Sequence, residues 1–268
     1  AGNASHLVGN PYPVALSSGR VAVLYLKQAS GAQDPDRGVG NGMVLSDDDG
    51  VTWSEEHDVS KGFGNASGSS PGPGAGIQLA SGRILVVSHH GAYIDDYITY
   101  SDDGGKTWTT LNHTFPGMDE ATLADLGGGQ VLLNMRHAAE ATKGRAIARS
   151  HDGGLTWSNI SYDKALIGPV CQGSIAAIGG SVYFSNQASR ISRSHLTVRR
   201  SVDGGKTWSS SLLIQASSSA GYSSLVPEIV GDAKHGGLLY EAAKHGCIDF
   251  AVFPLALKSS DPRPQLIV

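Results

Sequence analysis

The stretch Ser101-Asp102-Asp103-Gly104-Gly105-Lys106-Thr107-Trp108 occurs in closely related form three more times. The other copies are Ser46-Asp47-Asp48-Asp49-Gly50-Val51-Thr52-Trp53, Ser150-His151-Asp152-Gly153-Gly154-Leu155-Thr156-Trp157 and Ser201-Val202-Asp203-Gly204-Gly205-Lys206-Thr207-Trp208. The copies start 55, 49 and 51 residues apart, and a fixed period of that size decides architecture before any single residue does. In Ser-x-Asp-x-Gly-x-Thr-Trp the Ser and Asp side chains can bond nearby backbone N–H groups, the Gly can take φ > 0, and the Trp supplies a large apolar body. These aspartates therefore read as turn-holding groups that do no chemistry.

A second series fixes the phase. Turns at Ser18-Gly19-Arg20, Ser81-Gly82-Arg83, Gly128-Gly129-Gln130, Gly179-Gly180-Ser181 and Gly236-Gly237 each precede an apolar run such as Val21-Ala22-Val23-Leu24-Tyr25-Leu26 or Ile84-Leu85-Val86-Val87. Five units follow, close to the roughly 40 to 50 residues that a four-stranded propeller blade occupies. The fifth, from about Tyr222 to Phe253, has the runs Leu238-Leu239-Tyr240 and Ile248 to Phe253 with no Ser-x-Asp turn between them. The expected fold is all-β, a single propeller domain over residues 1–268 with about five blades.

Composition agrees and narrows the function classes. The chain is 13% glycine by count (36 of 268), with 16% charged residues and a formal net charge of −4. No broad positive field is present to bind nucleic acid, so none is expected as a partner. No apolar run approaches the roughly 18 residues a membrane span needs. Cys171 and Cys247 cannot build a disulfide framework or a multi-thiolate metal site, and a single bridge between them is left open. The ten His show no ligand spacing, and the neighbours His89 and His90 on one strand should point to opposite faces. Neither a metal nor a cofactor is expected.

The repeat is the Asp box, and the residues between boxes are more selective than the boxes. Gly9-Asn10-Pro11-Tyr12-Pro13-Val14, Gly72-Pro73-Gly74-Ala75-Gly76-Ile77-Gln78-Leu79, Glu120 with Leu132-Leu133-Asn134-Met135-Arg136, Tyr222-Ser223-Ser224-Leu225 and Leu239-Tyr240-Glu241 resemble, in order, the landmarks of the exo-α-sialidase family. That resemblance implies a six-bladed family fold and retaining hydrolysis of terminal sialic acids from sialylated glycans. A sialic acid carries a carboxylate on its anomeric carbon, which planar guanidinium forks hold bidentately. The same anion repels a carboxylate nucleophile and favours a phenol activated by a carboxylate, and sialidases are known exceptions that use a Tyr nucleophile.

By the resemblance, Tyr222 matches the nucleophile and Glu120 the carboxylate that takes its proton. Arg136 matches the second arginine of the family's triad, with Arg145 as runner-up, and Arg193, chosen over Arg190, matches the third. Glu241 stands where the family places a carboxylate that orients the first arginine. The family's Arg-Ile-Pro motif, which supplies that first arginine, is not found in the sequence, nor is the acid/base Asp that follows it. Asp34 and Asp36 read as a solvated loop. The chain is therefore expected to lack the family's first blade and to turn over little by itself. A non-catalytic propeller that binds sialylated glycans through Arg136 and Arg193 is the alternative. A glucan-active hydrolase is weaker, because all four Trp fall in the boxes and leave none for stacking. Four of the eight Asn lie in glycosylation sequons, at Asn3, Asn65, Asn112 and Asn159, which favours a lysosomal or secreted protein.

Overall fold

The computed structural model describes residues 6–29, 38–63, 69–90, 94–138, 143–216, 220–226, 229, 232–242, 246–257 and 265–267. Asp34, Asp36, Asn3 and Asn65 lie outside them. Five consecutive antiparallel sheets contain all the strands of the described residues. The first contains β1 (His6–Ala15), β2 (Val21–Ala29), β3 (Gly38–Ser46) and β4 (His57–Asp58). The second contains β5 (Ser69–Pro71), β6 (Ile77–Gln78), β7 (Ile84–His90), β8 (Asp95–Ser101) and β9 (Thr109–Pro116). The third contains β10 (Met118–Gly127), β11 (Gln130–His137), β12 (Arg145–Ser150) and β13 (Ser161–Asp163). The fourth contains β14 (Ser174–Ile178), β15 (Ser181–Gln187), β16 (Leu196–Ser201) and β17 (Ser210–Gln215). The fifth contains β18 (Ala220–Val226), β19 (His235–Ala242), β20 (Cys247–Pro254) and β21 (Gln265–Ile267). Each sheet is a meander in chain order, apart from the short β6, which pairs with β7 beside β5. These are the five blades that the repeat period implies.

The local reasons are legible residue by residue. In β2 burial alternates along Val21 to Leu26, with Ala22, Leu24 and Leu26 buried, as one covered face requires. The second strands in the ladders of later blades, β7 and β15, are buried along almost their whole length, and in β7 the apolar run Ile84-Leu85-Val86-Val87 reflects it. Gly19 and Gly82 hold φ of 87° and 92° in matching turns ahead of β2 and β7. The fifth blade differs from expectation: Gly236 and Gly237 lie inside β19, and the turn is at Ala233 and Lys234. These glycines make room for aromatic rings of β20, since a Cβ on Gly236 would stand 2.8 Å from Phe253 and one on Gly237 would stand 2.5 Å from Phe250.

Every box joins the last two strands of its blade, and the first three boxes repeat one hydrogen-bond scheme in full. In the second, Ser101 Oγ donates to Asp103 (2.8 Å) and accepts from Gly105 N (2.9 Å). Asp103 accepts from Thr107 N (2.9 Å) and Thr107 Oγ1 (2.6 Å), and Trp108 Nε1 donates to Gly105 O (3.0 Å). The fourth box departs from this. Arg149 donates to the carbonyls of Gly204 and Gly205, both at 2.9 Å, so the Trp208 indole turns to Asp163 (2.8 Å) instead. Trp108 packs as expected into an apolar cluster with Phe63, Leu24 and Ile84, whereas Trp53 is 44% exposed. Later boxes rest on the blade before them, Gly154 against Leu85 and Gly205 against Leu132.

The chain divides into two compact units. One holds residues 1–123, 127–131 and 150–158, and its core gathers Tyr12, Leu24, Phe63 and Trp108. The other holds residues 124–126, 132–149 and 159–268, with cores around Leu132, Val182 and Phe184 and around Tyr183, Leu238, Tyr240 and Phe253.

Candidate functional site

Four of the five residues singled out by sequence lie in the second unit. Tyr222 sits near the start of β18, where the pairing with β19 slips: Ala220 is opposite Ala242 but Ser223 is opposite Tyr240. One extra residue on β18 makes this a β-bulge at Gly221 and Tyr222, a device that re-aims a side chain. The Tyr222 N–H donates to Glu241 Oε2 at 2.9 Å. A Cβ on Gly221 would displace the Glu241 carboxylate that accepts from Tyr222 N–H.

Two guanidinium groups flank the phenol of Tyr222. Arg136, half-buried near the end of β11, places Nη1 3.4 Å from the Tyr222 hydroxyl oxygen. Arg193 holds its Cζ 5.8 Å from the centroid of the Tyr222 ring, within the range of cation–π attraction. Arg193 comes from the loop between β15 and β16, which serine hydroxyls brace: Ser192 Oγ meets Ser194 Oγ at 2.9 Å, and Ser194 Oγ meets His195 Nδ1 at 3.0 Å. The loop closes where Ala188 N donates to His195 O and His195 takes φ of 59°. The unit thus brings Tyr222, Arg136, Arg193 and Glu241 together. Such a cluster can hold a carboxylate beside a phenolic oxygen.

Arg145, the runner-up to Arg136, has a different occupation. It is buried, donates Nε to Asn134 Oδ1 (2.7 Å) and Nη1 to Cys171 O (2.7 Å), and lies over the Phe184 ring. Arg190 is exposed. Both cysteines are free thiols, Cys171 buried and Cys247 exposed, so the bridge left open by sequence is not made.

Glu120 belongs to the first unit, buried within β10 at φ +41°, a left-handed conformation that costs a non-glycine residue energy and that clusters at functional sites. Its neighbour Asp119 is also buried and stands 3.9 Å from His89 Nδ1. His89 is buried, while His90 turns outward to Asp95 (2.6 Å), as their alternation on β7 requires. Sequence reasoning missed Gln172 and Gln187, whose amides reach the backbone on either side of Tyr222. Isolated glutamines outside any motif carry no signal that would have marked them.

Comparison with known proteins identifies the family and the fold. The BNR repeat-like domain model matches residues 1–233. A sialidase of Micromonospora viridifaciens is 36% identical over 235 residues, covering 80% of this chain and 35% of that protein. A sialidase of Bacteroides fragilis (strain YCH46) is 32% identical over 220 residues, covering 75% and 39%. Among solved structures, the Hadza microbial sialidase Hz136 superposes with a TM-score of 0.82 at 28% identity, covering 95% of this chain and 54% of that one. The fold is the sialidase-type β-propeller. The chain spans well under half the length of these curated relatives.

Proposed function

From the premise that the chain belongs to the BNR repeat-like family, in the branch that includes the sialidases, we propose that it carries part of an exo-α-sialidase site acting on terminal sialic acids of sialylated glycans. The observation that carries this reading is the single phenol between two guanidiniums: Arg136 at 3.4 Å from the Tyr222 hydroxyl and Arg193 over its ring. Arg136 and Arg193 grip the sugar carboxylate. The Tyr222 oxygen then attacks the anomeric carbon, the glycosidic bond breaks with its electron pair on the leaving oxygen, and water later releases the sugar with retained configuration. Two successive displacements at one centre give that outcome. Glu241 holds the Tyr222 backbone in place. The role of Glu120 as acceptor of the phenolic proton rests on the family resemblance alone.

The sequence holds no Arg-Ile-Pro and no recognisable acid/base Asp. A general acid contributes typically ~10²–10⁴ in rate, so slow turnover by this chain alone belongs to the proposal. The substrate is placed in a lysosomal or extracellular compartment. Asn112 and Asn159, the two sequons among the described residues, are both exposed as glycosylation requires, and no helix among the described residues is long and apolar enough to cross a membrane.

The decisive experiment uses a 2,3-difluorinated sialic acid, whose glycosyl-enzyme forms and then hydrolyses slowly. Peptide mass analysis should find the sugar on the peptide containing Tyr222 and should find none in Tyr222→Phe. Sialic acid binding that persists without any covalent adduct would favour the glycan-binding alternative.

A further inference from the structure

The strand that carries Tyr222 is the first of its sheet, and among the described residues one of its edges has no neighbouring strand. An open edge leaves alternate backbone N–H and C=O groups without ladder partners. Here buried side chains from β14, β15 and the segment before them fill those places one after another. Gln187 Nε2 donates to Gly221 O. Gln172 makes a two-bond pair with a single residue: Ser223 N donates to its Oε1 and its Nε2 donates to Ser223 O, both at 3.0 Å. Ser174 Oγ accepts from Leu225 N at 3.0 Å. The partners on β18 are residues 221, 223 and 225, the period of two that one strand edge presents. A carboxamide has the donor and acceptor of a peptide group, so Gln172 stands in for a neighbouring strand at one position.

The bulge makes this more than edge cover. A bulge disrupts the ladder locally and leaves its extra residue outside the pairing, so the direction of the bulged side chain has to be set by other contacts. Gly221 is fixed by Gln187, Ser223 by Gln172, and the amide of Tyr222 itself by Glu241 on the opposite side. Gln172 and Gln187 are nearly fully buried, which strengthens these bonds and makes their loss costly.

We propose that Gln172 and Gln187 are positioning residues that lock the Gly221–Ser223 bulge and so aim the Tyr222 hydroxyl at Arg136. The meaning of that aim rests on the reading of Tyr222 as nucleophile, but its test does not. The whole 268-residue chain is labelled with 3-fluorotyrosine, and among its nine tyrosines the ¹⁹F resonance of Tyr222 is the one missing from Tyr222→Phe. Gln172→Met keeps the volume and removes both hydrogen bonds. It should shift or split the Tyr222 resonance while the other signals stay in place. Ser174→Ala removes a comparable bond from the same edge two residues further on and should lower stability without moving that resonance. If Gln172→Met does not fold, Gln172→Glu, which keeps the acceptor and loses the donor, decides by the same signal. An unchanged Tyr222 resonance in the folded Gln172 variant, or an equal shift in Ser174→Ala, overturns the proposal and leaves the glutamines as edge cover. Failure of the difluorinated sugar to label Tyr222 would overturn the functional reading and leave this result standing.

Discussion

Arg136 Nη1 stands 3.4 Å from the Tyr222 hydroxyl oxygen, joining residues 86 apart in the chain. That separation is long for a hydrogen bond, so an incoming anion competes easily for the guanidinium fork. If Arg136 grips the sialic acid carboxylate bidentately, Arg136→Lys replaces a fork with a point charge. Each charge-assisted bond contributes about 1.5–3 kcal/mol, so sialic acid binding should weaken by roughly 10- to 100-fold in calorimetric titration. Tyr222→Phe should leave binding nearly intact. Equal affinity for wild type and Arg136→Lys would remove this arginine from the site.

Arg145 gives the complementary expectation. Its donors go to Asn134 Oδ1 and Cys171 O in a buried setting, so Arg145→Met leaves both acceptors without them. A cost of about 1–3 kcal/mol follows, and a melting temperature lower by roughly 2–10 °C, with sialic acid affinity unchanged. Lost affinity at an unchanged melting temperature would instead make Arg145 the gripping residue.

The sequence revealed the fold much further than it revealed the site, and the reason is range. Box turns are closed by residues within four positions, such as Asp103 and Thr107, so spacing alone exposes them. Blade count and phase follow from the same local signals. The bulge under Tyr222 is different, because it exists only in the register of β18 against β19, and its locks lie 34 and 51 residues away at Gln187 and Gln172. Gly236 and Gly237 suggested a turn because glycine pairs usually mark one, yet cross-strand rings of Phe253 and Phe250 explain them. Choosing Arg136 ahead of Arg145 needed the resemblance, since both precede the same box and only burial and distant partners, Tyr222 for one and Cys171 for the other, separate them.

Glu241 can be tested as an acceptor rather than as a charge. The Tyr222 N–H donates to its carboxylate at 2.9 Å. Glu241→Gln keeps a carbonyl oxygen there and should preserve slow hydrogen exchange at the Tyr222 amide, whereas Glu241→Ala should speed it severalfold. Equal exchange in both variants would mean that this bond does not hold the bulge.

The boxes predict an acid dependence with a definite sign. Thr107 hydrogen bonds hold Asp103 at a pKa of about 2, below the ordinary carboxylate value of about 3.9. A depressed folded-state value contributes stability above the unfolded pKa, and the contribution is lost as pH falls from about 4 toward 2. Asp103→Asn should therefore melt lower than wild type at pH 6, by an amount on the order of a few degrees, and the two melting curves should converge toward pH 2. A gap that stays constant across that range would show that the carboxylate charge contributes nothing to the turn.

Two glycines with nearly the same backbone angle separate conformational strain from collision. Gly104 has φ of 75°, and a methyl group added there would meet nothing within 4 Å, whereas Gly144 has φ of 78° and a Cβ there would run into the backbone carbonyl of Asp163. Gly104→Ala should cost only the left-handed conformation, about 1–2 kcal/mol. Gly144→Ala adds a clash with backbone that cannot rotate away, and overpacking of that kind costs typically about 1–3 kcal/mol more. Urea titration should rank the two variants in that order with an unchanged slope, since neither alters the surface exposed on unfolding. Equal midpoints would mean that the β12–β13 hairpin, where Arg145 is opposite Asp163, yields to a methyl group, and that close approach at Gly144 is not what requires glycine.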